Sequence, residues 1–247
     1  MPAPVSTSTA TASPRRPTLL FVGDSLTQDG TDAARGGWLC GLTHRFNRSA
    51  DVLARGLCGY NTDMVVAHVL PELEKTVRES AAPPAIITVW FGANDAALLT
   101  GYEFRQHVPL DRYRSNLRVI VSRLQAAAPT AAIVLVTPGA VDNAKRGQLA
   151  PDHQLDRSDK QAAIYAAVCV AEAQALGVEA LDMRAVFHQL SPEQFQASLA
   201  DGLHLTPVGN AVVEVAVLSK LQSAFPKLAA RLERWEFPDF RDLLPSN

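Results

Sequence analysis

The sequence is poor in cysteine and in the residue spacings that hold metal ions. Its three cysteines, Cys40, Cys58 and Cys169, are odd in number and widely separated. No C-x-x-C pair occurs, and the six histidines form no H-x-H or H-x-x-x-H pair. These absences argue against a disulfide framework and against a zinc site, and they fit a reducing compartment. We therefore expect a cytoplasmic protein with no bound metal.

The chain also lacks a charge excess and any apolar run of membrane-spanning length. Its 247 residues include 23 basic and 25 acidic side chains, which leaves a net charge of −2. Nucleic-acid binding normally requires a basic face, so nucleic acid is not an expected partner. A membrane-spanning helix needs about 20 consecutive apolar residues, so no transmembrane segment is expected.

Common motifs for nucleotides and for serine nucleophiles are absent as well. The sequence contains no G-x-G-x-x-G and no G-x-x-x-x-G-K-[ST], so a cradle for nucleotide phosphates is not supported. The missing G-x-S-x-G motif argues against the α/β-hydrolase fold. Lysine and arginine side chains are interpreted as solvated.

The two ends of the chain differ in composition from its middle. Residues 1–16 are rich in Ser, Thr, Ala and Pro, contain no acid and lack the apolar segment of a secretory signal. We expect them to form a disordered N-terminal tail. Residues 17–225 carry the pattern of a single domain. Residues 226–247, with Trp235 and Phe237, depart from it, and we expect this C-terminal extension to pack on the domain or on a partner.

What the middle of the sequence contains is a regular alternation of strands and helices. The strands are short and mostly apolar on both faces, which is typical of a parallel sheet with helices on both sides. Asp111 is expected to cap one of the helices, and Thr206-Pro207 to open the last one. The pattern predicts one doubly wound, five-stranded parallel α/β/α domain. The predicted strands are 18–23, 51–57, 85–92, 131–137 and 177–183.

Three candidate site residues follow the first three predicted strands, where a doubly wound sheet forms its ligand crevice. Ser25 follows the first strand in Gly-Asp-Ser-Leu, Gly59 follows the second, and Asn94 follows the third in Gly-Ala-Asn-Asp. The longest irregular stretches, 92–110 and 138–157, also follow strands. We therefore expect the chemistry of this protein at that edge of the sheet.

An aspartate and a histidine three residues apart precede the last predicted helix, in Asp-Gly-Leu-His. A serine hydroxyl becomes a good nucleophile when an imidazole takes its proton, and the imidazole needs a carboxylate on its other nitrogen. Ser25, His204 and Asp201 fit these catalytic roles. An oxyanion hole also needs hydrogen-bond donors. The candidates are the backbone N–H groups of Ser25 and Gly59 and the side-chain amide of Asn94, and a glycine at position 59 lets a substrate approach closely.

Each of these residues alone has an ordinary structural interpretation. Ser25 is equally consistent with a helix cap, Gly59 and Asn94 with turn positions, and His204 with a packed or exposed side chain. Their joint occurrence at one edge of the sheet favours catalysis. A non-catalytic module that holds a ligand in the same crevice is the alternative from a different functional class.

The four blocks that contain Ser25, Gly59, Asn94 and Asp201-x-x-His204 resemble, in order and content, those of the GDSL, or SGNH, hydrolase superfamily. The resemblance implies a three-layer, flavodoxin-like fold, with Ser25 as nucleophile of an ester hydrolase that needs no cofactor. A narrower resemblance, to the isoamyl acetate-hydrolysing esterase branch, rests on "RGLCGYNTDM", "FGANDAALL", "QHVPLDRYRSNL" and "DGLHLTPVGN". It makes residues 17–225 the hydrolase domain, implies short-chain acetate-type esters as substrates and favours a homodimer.

The apolar side chains after Asn94 are the candidate substrate pocket. Leu98, Leu99 and Phe104 favour a small apolar ester over a sugar or a charged head group. Two other substrate classes stay open for the same catalytic residues, because a thioesterase and a lysophospholipase would need the same nucleophile, base and oxyanion hole.

Overall fold

A computed structural model describes residues 16–244, without the side chains of Leu149 and Asp152. Its centre is a parallel sheet of five strands in the order β2-β1-β3-β4-β5. This arrangement confirms the predicted doubly wound, flavodoxin-like α/β/α fold. The strands are β1 (Thr18–Gly23), β2 (Asp51–Gly56), β3 (Ile86–Trp90), β4 (Ala132–Val136) and β5 (Glu179–Leu181).

Helices connect the strands, and several begin at residues with typical capping chemistry. The Thr206 hydroxyl accepts a hydrogen bond from the Gly209 N–H at 3.2 Å, as the sequence predicts for a helix that starts with Pro207. The helices are α1 (Ser25–Gln28), α2 (Trp38–Phe46), α3 (Thr62–Met64), α4 (Leu70–Glu79), α5 (Leu110–Ala127), α6 (Asn143–Leu149), α7 (Asp159–Ala175), α8 (Met183–His188), α9 (Pro192–Ser198), α10 (Pro207–Ala224) and α11 (Pro226–Leu232).

The predicted cap at Asp111 is wrong. Helix α5 begins at Leu110, and its N-cap is Pro109, two residues before the predicted cap, with φ −54° and ψ 143°. Pro109 has the extended ψ of a residue that precedes a helix, and Asp111 is the second helical residue, where a negative charge interacts favourably with the helix N-terminus. Asp111 lies in the exposed first turn, where its Oδ1 accepts a hydrogen bond from Arg114 Nη1 at 3.0 Å.

Both faces of the sheet are buried because successive strand residues point to opposite sides and both sets are apolar. Leu20 and Val22 of β1 pack in the cluster that contains α4, α5 and α7. Leu19 and Phe21 pack in the opposite cluster with α2, α8 and α10. Only the edge strand β2 alternates between exposed and half-buried residues. The sheet is therefore a rigid platform for the loops that leave its strand ends.

The two predicted terminal segments lie partly outside the described residues. Of the predicted disordered tail only Arg16 is described, and its Nε lies 2.8 Å from Asp51 Oδ1. The C-terminal extension buries Leu232 in the domain, and the Arg48 guanidinium lies 3.6 Å from the centre of the Trp235 ring. Phe237 is exposed, as is Phe240. The segment boundaries at 16/17 and 225/226 and the homodimer stay predictions.

Candidate active site

Three of the predicted site residues follow strands whose ends lie level with each other. The last residue of β1, Gly23, pairs in register with the last residue of β2 and with the last residue of β3. Ser25, Gly59 and Asn94 follow these three strand ends within a few residues. The strand order reverses between β1 and β3, and ligand crevices of doubly wound sheets form at such a point. The topology thus places the three residues at one crevice.

Ser25 is the first residue of α1 and is not its cap. The N-cap is Asp24, whose Oδ1 accepts a hydrogen bond from the Leu26 N–H at 3.0 Å. The Ser25 side chain is therefore not occupied in capping the helix, and Ser25 is only 7% exposed. The sharp strand-to-helix turn leaves its hydroxyl free to contact a residue from another part of the chain.

Asp201 and His204 lie on one turn whose shape depends on a glycine. Asp201 Oδ1 accepts hydrogen bonds from the backbone N–H groups of Leu203 at 2.9 Å and His204 at 2.7 Å. Gly202 has φ +85°, and a Cβ at this position would lie 2.5 Å from the Asp142 carbonyl oxygen. The turn therefore holds one carboxylate oxygen of Asp201 in place and leaves the other to face the imidazole.

The structure brings Ser25, His204 and Asp201 into one chain of hydrogen bonds. Ser25 Oγ lies 3.1 Å from His204 Nε2, and His204 Nδ1 lies 2.8 Å from Asp201 Oδ2. An ionised carboxylate can only accept a hydrogen bond, so a neutral His204 carries its proton on Nδ1. Nε2 is then the acceptor that faces the serine hydroxyl, which is the arrangement that a general base requires.

The pKa shifts of the aspartate–histidine pair are consistent with an ionised carboxylate and a basic imidazole. Burial alone would raise the pKa of Asp201, but hydrogen bonds from the His204 ring and from backbone N–H groups hold that pKa well below its usual range. The hydrogen bond to Asp201 raises the pKa of His204, although burial of the ring opposes the shift. The carboxylate therefore stabilises a positive charge on the imidazole.

Within the described residues, each of the three predicted oxyanion donors has an N–H group that donates to no protein acceptor. Within residues 16–244, no protein acceptor takes a hydrogen bond from the backbone N–H of Ser25 or of Gly59. Asn94 Nδ2 donates to the Tyr60 carbonyl oxygen at 2.9 Å, which leaves its second N–H for another acceptor. Gly59 has φ +79°, and a Cβ there would contact only Gln106 Nε2, at 3.4 Å. Its backbone conformation, more than crowding, requires glycine.

Two arginines that the sequence interpretation treated as solvated are buried beside these residues, so that interpretation is wrong for them. Arg157 is 3% exposed, and its Nη2 donates to Asn94 Oδ1 at 3.0 Å. Arg146 Nη1 donates to Asp201 Oδ2 at 2.7 Å. Asp156 is fully buried and pairs with both arginines, and Asp201 also pairs with Arg146, so two carboxylates compensate the two guanidinium charges. The sequence signal that could have pointed to Arg146, Asp156 and Arg157 is their position in the irregular stretch 138–157, which follows a strand end.

The predicted pocket residues lie on a loop that passes beside the donors. Leu98 is half-buried, whereas Leu99 and Phe104 are 69% and 48% exposed. On the same loop, Gln106 Nε2 donates to the Gly59 carbonyl oxygen at 3.0 Å. The structure thus brings this loop close to the oxyanion donors. That Leu98, Leu99 and Phe104 contact a substrate stays a prediction.

Neither a metal cluster nor a membrane-spanning helix occurs within residues 16–244. No three His, Cys, Asp or Glu side chains of that range are grouped so that they could hold a metal ion. None of its helices combines the length and the apolar character needed to cross a bilayer. The cytoplasmic location, which was inferred from cysteine usage, stays a prediction.

Similarity to known proteins agrees with the fold and the site. Residues 21–212 match the GDSL-like lipase/acylhydrolase family. A GDSL esterase/lipase of Arabidopsis thaliana is 38% identical over 208 residues, which cover 80% of this chain and 82% of the relative. An isoamyl acetate-hydrolyzing esterase 1 homolog of Bos taurus is 35% identical over 224 residues, which cover 89% and 87%. A solved acetylxylan esterase of Geobacillus stearothermophilus superimposes with a TM-score of 0.64 at 21% identity, over 83% of this chain and 94% of that chain.

These matches define a carboxylic ester hydrolase. The chain belongs to the GDSL-like lipase/acylhydrolase family, and the superfamily resemblance of its four sequence blocks is confirmed.

Proposed function

We propose that this protein hydrolyses short-chain, acetate-type esters through an acyl-enzyme intermediate on Ser25. The observation that supports the proposal is the continuous hydrogen-bonded chain from Asp201 through His204 to Ser25, with distances of 2.8 Å and 3.1 Å. A binding module has no need of a basic imidazole aimed at a buried hydroxyl, whereas acyl transfer requires one.

The first half of the reaction forms the acyl-enzyme. His204 Nε2 takes the proton of Ser25 Oγ while Oγ bonds to the ester carbonyl carbon, and the carbonyl π electrons move onto the oxygen. Asp201 stabilises the imidazolium that results. When the tetrahedral intermediate collapses, the bond to the alcohol oxygen breaks, and His204 gives its proton to the departing alkoxide.

The second half repeats these steps with water. His204 Nε2 removes a proton from a water molecule as its oxygen attacks the acyl carbon. The bond between the acyl carbon and Ser25 Oγ then breaks, which releases the acid, and Oγ recovers the proton from His204. In both halves the negative oxygen would accept hydrogen bonds from the Ser25 N–H, the Gly59 N–H and the second N–H of Asn94. Such fixed donors stabilise the transition state because they need no reorientation as the charge develops.

The preference for a small acyl group has two supports. Leu98, Leu99 and Phe104 provide apolar surface on the loop that contacts Gly59. In addition, one relative is named for isoamyl acetate and one structural neighbour for acetylated xylan, and these two substrates share only the acetyl group. We therefore assign the acetyl group, and not the alcohol, as the part of the substrate that the site selects.

A series of chromogenic esters tests this assignment. With p-nitrophenyl acetate, butyrate and octanoate, we expect kcat/KM to fall with chain length, by about tenfold or more from acetate to octanoate. Matched thioesters should be turned over more slowly than the oxygen esters. A kcat/KM that rises with chain length would favour a lysophospholipase, and faster thioester turnover would favour a thioesterase.

The pH dependence of kcat/KM should have an acid limb that lies above the usual pKa of histidine. His204 must be neutral to accept the serine proton, so the rate falls as the pH decreases through its pKa. Because the hydrogen bond to Asp201 raises that pKa, the limb moves to higher pH. Below the limb we expect about a tenfold loss per pH unit, measured at constant ionic strength.

Asp24 is the necessary control for this limb, because burial raises its pKa to about 7. An Asp24→Asn variant keeps a side chain that caps helix α1 and removes the titration. The acid limb should stay where it is in this variant. If it vanishes, the limb belongs to Asp24 and the assignment to His204 is wrong.

A further inference from the structure

The Asn94 side chain is held in one orientation from both of its ends. Its Oδ1 accepts from Arg157 Nη2 at 3.0 Å, and its Nδ2 donates to the Tyr60 carbonyl oxygen at 2.9 Å. A flipped amide would place two donors against each other at Arg157 and two acceptors against each other at Tyr60, because a guanidinium only donates and a carbonyl only accepts. The flip would also turn Oδ1, an acceptor, toward the developing oxyanion.

Arg157 itself is fixed by further contacts. Its Nε donates to the Ala93 carbonyl oxygen at 2.6 Å, and its Nη1 donates to Asp156 Oδ2 at 3.2 Å. The buried Asp156 thus compensates the charge of the buried guanidinium. The planar fork of an arginine can serve these acceptors and Asn94 at once, which the single ammonium of a lysine cannot do.

A second contact of Arg157 reaches the other predicted oxyanion donor. Arg157 Nη2 donates to Gln106 Oε1, and Gln106 Nε2 donates to the Gly59 carbonyl oxygen at 3.0 Å. Asn61 Nδ2 holds the Gln106 backbone through its carbonyl oxygen at 2.9 Å. Asn94 and Gly59, which are 35 residues apart in the sequence (94 − 59), are therefore connected through only two side chains.

We propose that Arg157 and Gln106 are positioning residues that set the two oxyanion donors, Asn94 and Gly59, at a fixed separation. This inference rests on the proposed function, in which those two residues bind the oxyanion. Arg157 also polarises the Asn94 amide, because a positive charge at Oδ1 draws electron density from Nδ2 and makes its N–H a stronger donor. The proposed network acts on the transition state, so it should affect kcat more than KM.

An Arg157→Lys variant tests the role of the guanidinium. Lysine keeps the charge opposite Asp156 but loses the fork that holds Asn94 and Gln106. We expect kcat for p-nitrophenyl acetate to fall by about 10–100-fold, with KM within about twofold of the wild-type value. Asn94→Ala alone should lower kcat by about 10²–10³-fold, as expected for the loss of one oxyanion donor.

The combination of the two changes separates positioning from a general effect on the fold. Arg157 acts on Asn94 directly and on Gly59 through Gln106, so only the Gly59 part of its effect remains once Asn94 is removed. Adding Arg157→Lys to Asn94→Ala should therefore lower kcat by less than Arg157→Lys does alone, and by no more than the roughly tenfold expected for Gln106→Met. An equal loss of kcat in both backgrounds would overturn the proposed coupling. An Asn94→Ala variant with the full rate would instead overturn the oxyanion hole of the proposed function, so the two failures give different results.

Two further variants keep the test decisive. Arg118→Lys is the control for the loss of an arginine fork away from the site. Arg118 lies on the surface, donates through Nε and Nη2 to the buried Glu172 between α5 and α7, and its replacement should keep the full rate. Gln106→Met covers the case in which Arg157→Lys does not fold, because Gln106 is half-buried and uncharged. We expect it to lower kcat by about tenfold with KM unchanged. An unchanged kcat would overturn the role of Gln106.

Discussion

Replacing Ser25 by alanine is expected to lower kcat/KM for every ester substrate by about 10⁴–10⁶-fold. Alanine removes the hydroxyl oxygen that lies 3.1 Å from His204 Nε2 and so removes the proposed nucleophile. The remaining donors can still bind the carbonyl, but no covalent intermediate can form. Stability should change by less than about 1 kcal/mol, because Asp24 and not Ser25 caps helix α1.

The control for this variant is Ser115→Ala. Ser115 lies on the exposed face of α5, where its hydroxyl donates to the Asp111 carbonyl oxygen at 2.9 Å, so its loss should leave the rate unchanged. A fluorophosphonate, which labels activated serines, should add its mass to the wild-type and Ser115→Ala proteins and not to Ser25→Ala. Ester turnover that survives in Ser25→Ala at more than about one tenth of the wild-type rate would contradict the proposed mechanism. A wild-type protein that binds esters without turnover would be the binding module considered above.

The fold could be predicted from the sequence because each strand is a short apolar run between helical stripes. Short strands that are apolar on both faces and alternate with helices are typical of a parallel sheet with helices on both sides. The edge strand β2 gave the weakest signal, since one of its faces remains exposed. The error at Asp111 is a shift within one helical turn, because aspartate is favourable both as a cap and in the first turn of a helix, and the residue type alone does not separate the two positions.

The site could be predicted as far as the residues follow strand ends or share a short turn. Asp201 and His204 are three residues apart, so local geometry alone brings them together, whereas Ser25 reaches His204 only through the topology of the sheet. The burial of Arg146 and Arg157 beside the site could not be predicted in this way. Burial of a charged side chain depends on partners that are distant in sequence, and a lone arginine in a loop is usually solvated. For Gly59, the residue type was informative, but its positive φ is visible only in the structure.

The second large effect is expected from Asp201→Asn, which should lower kcat by about 10³–10⁴-fold near neutral pH. The backbone N–H groups of Leu203 and His204 require an acceptor, so the asparagine oxygen would take the place of Oδ1. Its NH₂ group would then face His204 Nδ1 and favour the tautomer whose proton lies on Nε2. That tautomer cannot accept the proton of Ser25.

The pH profile of Asp201→Asn distinguishes this mechanism from a general loss of structure. The hydrogen bond to Asp201 is the main cause of the raised pKa of His204, so the remaining activity should have its acid limb at lower pH than the wild-type enzyme. Asp111→Asn is the control, because this exposed aspartate pairs with Arg114 on the surface of α5, so its replacement should change neither the rate nor the limb. A loss of less than about tenfold in kcat, or an acid limb that stays in place, would mean that Asp201 does not orient the imidazole.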